Sequence, residues 1–128
     1  MMILFLGAFL GLTAMIVGAF LEHGFGNTLS DDQLKSFMTA LRYNQLNAVI
    51  IALLGLFLIN GKAGITNPFF KWSSVSFVIG TVFFCFGIYL SYGFDLVFFV
   101  YVTPLGGVIL MLAWILLCIA ALREKMLL

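Results

Sequence analysis

The stretch Ala40-Leu41-Arg42-Tyr43-Asn44-Gln45-Leu46-Asn47 places an arginine, a tyrosine and three amides between two long apolar runs. Polar groups next to so much hydrocarbon are costly in a bilayer. Each needs a partner, a water or a function. The runs on either side set the class. Hydrophobic residues make up 64 % of the 128, and charged residues 9 %, against about a quarter in a soluble domain. Such side chains need lipid, so the chain reads as a single membrane-embedded domain.

Upstream, residues 1–21 carry no charge and are long enough to cross a hydrocarbon core about 30 Å thick. No basic region or cleavage site marks them as a removable signal, so they are expected to stay as a span. Gly7 and Gly11 form a small-xxx-small pair that Gly18 extends. Such a strip admits another helix closely, either within one protomer or as the seam of a homo-oligomer. Gly24 and Gly26 can take positive φ and end the span, leaving Glu22 and His23 at the membrane edge. His23 reads as a hydrogen-bonded structural residue; no ligand spacing supports a metal. Ser30-Asp31-Asp32-Gln33 has the form of a capping box with acidic residues at the positive end of the dipole. Leu34, Phe37, Met38 and Leu41 follow at amphipathic spacing. A separate amphipathic helix over about 30–41 is expected at the membrane surface.

Downstream, a second span covers about 42–60. Residues 61–66 read as a loop, and Asn67-Pro68 as the cap and first position of a third span over about 68–92. Trp72 is placed like an interfacial anchor. Residues 96–102 are expected to form a buried or interfacial connector, or a short helix kinked onto the fourth span, within a region over about 97–122. Thr103 would cap that span and Pro104 open it. Its first free N–H groups, at Leu105, Gly106 and Gly107, then offer either a polar ligand site or only close packing. Cys85 and Cys118 lie in apolar runs and read as small buried hydrophobes, not a disulfide. The fold class is therefore all-α: an integral membrane four-helix bundle with an added amphipathic helix between the first and second spans.

The basic residues orient it. Lys62, Lys71, Arg123 and Lys125 fall on one side, Lys35 and Arg42 on the other. That imbalance predicts both termini in the cytoplasm. Arg42 is expected to pair with Glu22, directly or through His23.

Several of these residues carry a family resemblance. Gly18-Ala19-Phe20 with His23, Leu41-Arg42-Tyr43, the run from Phe84 to Tyr89, and Thr103-Pro104-Leu105-Gly106-Gly107 with Trp114 resemble the YgdD-like family of small four-span membrane proteins, over nearly the whole chain. The family's small residue after Gly-Ala-Phe is replaced here by Leu21-Glu22. Its usual histidine a turn after Arg-Tyr is Asn47. The resemblance implies a bacterial inner-membrane location and brings no established catalytic activity; a role in membrane stability or stress tolerance is suggested for some relatives.

Function is less legible. No nucleophile–base pair, phosphate loop or metal motif is present, so no enzyme, cofactor or metal is expected. The net charge of +1 and the lack of a basic stripe exclude nucleic acid as a partner. What remains is a structural or accessory protein whose partner is the lipid bilayer. The alternatives are a small transporter or channel subunit with Glu22, His23, Arg42, Tyr43 and Asn47 lining a vestibule, or a lipid- or small-anion-binding protein. The last would use a polar pocket around Arg42, with Thr103, Gly106 and Gly107 closing it.

Overall fold

The computed structural model describes residues 1–61 and 66–127; the loop expected at 61–66, including Lys62, lies mostly outside them. Four helices carry the chain: α1 (Met2–Glu22), α2 (Asp31–Asn60), α3 (Pro68–Gly93) and α4 (Val102–Leu127). Each is long and apolar enough to span a membrane. No strand occurs among the described residues. The chain is an all-α membrane bundle.

The first turn follows the sequence closely. The amide of His23 donates to the Ala19 carbonyl, and Gly24 takes φ 113° to end α1. Gly26 keeps negative φ. A 3₁₀ turn over Phe25–Thr28 leads to Ser30. There Gln33 N–H donates to Ser30 Oγ at 3.3 Å, and Ser30 N–H to Gln33 Oε1 at 3.1 Å. The capping box is complete.

From there the chain departs from expectation. The amphipathic segment is not a separate helix but the start of α2, which runs unbroken for 30 residues. The reason is local: no glycine or proline interrupts residues 31–54, so each backbone N–H finds its carbonyl four residues back. At 1.5 Å per residue α2 is about 45 Å long. It therefore extends past a core about 30 Å thick at its charged end.

α3 is the centre. Half of its most apolar stretch is buried, against 17 % for α1 and 22 % for the α4 region, and it packs against all three of the others. Its polar residues are satisfied in place. Ser73 Oγ donates across to the Ala113 carbonyl of α4 at 2.9 Å; Ser74 and Thr81 donate back to Phe70 and Phe77. A π-helical turn at Val82–Phe86 inserts one extra residue. The helix ends on Asp95 at φ 55°, with Leu96 N–H closing onto the Leu90 carbonyl. Aspartate thus takes the left-handed conformation that glycine usually supplies past a helix end.

The fourth span begins earlier than the proline. A 3₁₀ segment, Val97–Tyr101, runs directly into α4 at Val102. Pro104 sits in the first turn, where its missing N–H costs nothing. Thr103 donates to the Phe99 carbonyl at 3.4 Å, so it does not cap. Asn67 takes the N-cap position of α3, but its side chain makes no capping bond. Instead it is fully buried, and its amide donates to the Ala120 carbonyl at 2.8 Å and to Glu124 at 3.3 Å.

Glycines set the two tightest seams. A Cβ on Gly7 would lie 2.5 Å from the Ala52 nitrogen, and one on Gly55 2.6 Å from the Leu4 nitrogen. α1 and α2 thus touch backbone to backbone at one end. Gly80 and Gly106 do the same for α3 and α4, against Leu110 and Phe84. The result is two tight hairpins, α1–α2 and α3–α4, joined through α2 and α3. Two apolar clusters fill the join: one holds Ile51, Leu54, Phe70 and Phe77, the other Phe37, Ala40, Cys85, Ile88 and Tyr89. Asn44 and Asn47 fall between them along α2.

Candidate functional site

Helix phase decides where each polar residue points. On α2 the buried residues are Phe37, Ala40, Asn44, Asn47, Ala48, Ile51, Leu54 and Gly55, spaced three or four apart on one face. Arg42 and Tyr43 fall off that face and are exposed. So are Glu22 and His23, and among the described residues no ion pair joins Glu22 to Arg42. The pairing expected from sequence does not form. Arg42 lies on the charged half of α2, and its long side chain can reach the interface without a partner.

The eight residues read as one polar site separate into five places. Glu22 and His23 line a cavity of about 540 Å³ between α1 and α2, with Asn27 and Gln45. Tyr43 sets its ring edge-on to Phe84 at 5.4 Å and shares a shallow groove with Gly107. Asn47 is sealed in the core, 1 % exposed. Thr103 and Gly106 belong to the α3–α4 seam. A Cβ on Gly106 would run into the Phe84 backbone, so no room is left at that glycine for a ligand and it serves packing; Thr103 lines a separate cavity of about 240 Å³ with Ser36, Ser91 and Tyr92. Arg42 lines none of the described cavities.

The polar centre that does form was not foreseen as a unit. Asn44 is fully buried, and its Nδ2 donates to Tyr89 Oη at 3.1 Å, bridging α2 to α3. Cys85, one turn before Tyr89, donates its thiol to the Ala40 carbonyl at 3.2 Å. Two capacities stay open: Asn44 Oδ1, an acceptor, and Asn47 Nδ2, a donor, have no partner. Each such group costs about 1–3 kcal/mol when buried. Asn44 and Asn47 are three apart, a spacing visible in sequence; their burial follows from sharing a face with Ala40, Ala48 and Ile51. Tyr89 sits within the run that carried the family resemblance, but its partner depends on the register of the π turn.

Among the described residues no three His, Cys, Asp or Glu side chains gather as a metal site. Cys85 is buried and free; Cys118 is free and faces outward, not into the core. Gly7 is occupied by α2 and serves packing within the chain. A Cβ on Gly18 would meet Leu41 of α2 at 3.7 Å, an ordinary contact, and Gly18 lines the cavity near Glu22.

Comparison with known proteins places this arrangement. A family model described as a protein of unknown function, DUF423, matches residues 17–107. The inner membrane protein YgdD of Escherichia coli K12, assigned to UPF0382, is 30 % identical over 95 % of this chain and 90 % of its own length. A UPF0382 membrane protein of Staphylococcus epidermidis is 30 % identical over 92 % of this chain and 93 % of its own. One from Staphylococcus aureus is 27 % identical over the same shares. No solved structure matches the chain significantly.

Proposed function

The chain belongs to the DUF423 family, proteins of unknown function, and on that footing we propose that it is a non-enzymatic accessory protein of the bacterial cytoplasmic membrane that supports bilayer integrity. Both termini lie in the cytoplasm. The observation that carries this reading is the dispersal of the polar residues. A transporter or channel subunit would need Glu22, His23, Arg42, Tyr43 and Asn47 on one path. Here only Glu22 and His23 share a cavity; Arg42 and Tyr43 lie elsewhere, and Asn47 is enclosed. The buried polar groups between α2 and α3 join helices to one another and line no path.

Orientation rests on the basic residues. Lys71 and Arg123 are exposed at the end with the termini, and Lys35 and Arg42 at the other. Lys62 lies outside the described residues, as does the side chain of Lys125. Arg123 stands 5.4 Å over the Phe69 ring, and Trp72 is exposed one turn into α3. Both suit an interfacial belt.

Two measurements test the reading. Cells lacking the protein should become more sensitive to detergent and osmotic shock, with recovery on return of the intact chain. Proteoliposomes holding the purified chain should leak ions and small solutes no faster than empty vesicles. Chain-dependent flux would establish the transporter alternative instead.

A further inference from the structure

The α1–α2 cavity near Glu22 does not end at the membrane edge. A second cavity of about 310 Å³, lined by Gly7, Gly11, Ala48 and Ala52, continues it, and the two share Ala14, Met15 and Gln45. Together they form one furrow. Its mouth is polar, with Glu22, His23 and Asn27, and its floor is made of small apolar side chains. From Glu22 to Gly7 it runs about 22 Å along α1. It then stops, because Gly7 and Gly55 bring the two backbones together. A furrow open at one membrane face and closed toward the other fits an occupant that enters from one leaflet. A spanning helix of a second copy would need the closed end as well.

We propose that this furrow holds a phospholipid bearing a primary ammonium headgroup, such as phosphatidylethanolamine. The acyl chain lies along Gly11, Ala14 and Ala48, and the ammonium sits on Glu22. Charge complementarity selects the headgroup. Glu22 is the carboxylate at the mouth, exposed and without an ion-pair partner among the described residues. Its oxygens accept hydrogen bonds, and a primary ammonium supplies three donors. An anionic headgroup such as phosphatidylglycerol meets repulsion there. The inference rests on the reading of the chain as a bilayer accessory protein and gives that reading a lipid class.

The test uses the full chain in nanodiscs of equimolar phosphatidylethanolamine and phosphatidylglycerol, followed by native mass spectrometry of the released protein. The intact chain should retain phosphatidylethanolamine over phosphatidylglycerol by about twofold to fivefold, the range an exposed ion pair supplies. Glu22→Gln should bring the ratio to one without changing the melting temperature. Gly11→Leu should lose lipid of either kind. A Cβ at Gly11 meets only Ala48 Cβ, at 3.9 Å, so the added side chain grows into the furrow and the fold survives. Retention at the bulk ratio, preference for phosphatidylglycerol, or a ratio unmoved by Glu22→Gln would overturn the proposal. None of these touches the proteoliposome flux, so the lipid assignment and the accessory reading fail separately.

Discussion

Asn44 and Tyr89 make a side-chain hydrogen bond between the two hairpins, buried among Phe37, Ala40 and Cys85. Interhelical hydrogen bonds in membranes average about 0.6 kcal/mol and reach about 1.7. Losing one partner also strands the other. Tyr89→Phe leaves both Asn44 amide atoms without a partner, so we expect it to lower stability by about 1–3 kcal/mol. Asn44→Leu on that background removes the stranded amide and should restore part of the loss. Unfolding titrations in mild detergent read both. If Asn44→Leu costs as much in the Tyr89→Phe chain as it does in the intact chain, the bond contributes nothing. The sequence pointed toward this place but at the wrong residue. Arg42 stands out by its charge, whereas burial follows phase. Phe37, Ala40, Asn44, Ala48 and Ile51 recur every three or four positions, and that stripe was readable. What was not readable is Tyr89 as the partner, since the extra residue at Val82–Phe86 resets which α3 side chains face α2.

Gly106 and Gly107 look alike in the sequence and behave differently in the helix pair. Gly106 faces the Phe84 backbone, while a Cβ on Gly107 would meet only the Phe84 ring, at 3.8 Å. Gly106→Ala should therefore force α3 and α4 apart and cost about 1–3 kcal/mol. Gly107→Ala should be neutral, or stabilising by up to about 1 kcal/mol through helix propensity. Thermal melting of the two variants side by side decides it; equal losses would mean that both glycines line one seam. At this scale the capping box and the glycine stop at α1 were legible, because each is a local rule satisfied by neighbouring residues. The join of the amphipathic segment to the second span was not. Surface helix and spanning helix share one period, and only the lack of a breaker over residues 31–54 shows that they are one rod. Asn67 departs from its expected role for a related reason: a residue in cap position serves α4 when α4 comes within reach.

Across the molecule, the four spans and their all-α class were plain from hydropathy, while the relation between helices was not. Hydropathy shows which segments enter lipid, but not that α3 lies at the centre with α1 and α4 outside. The accessory reading depends on a closed interior between α2 and α3 whose polar groups lock helices together. Cys85 tests this without any introduced probe. It is fully buried beside Tyr89 and bonded to the Ala40 carbonyl, where α2 meets α3. In a Cys118→Ser chain it is the one thiol left. We expect a small water-soluble thiol reagent, applied from either side of the intact membrane, to leave Cys85 unmodified until the protein is denatured, when labelling should be complete. Modification of Cys85 in the native membrane would mean that water reaches the centre of the bundle, and would contradict the closed interior.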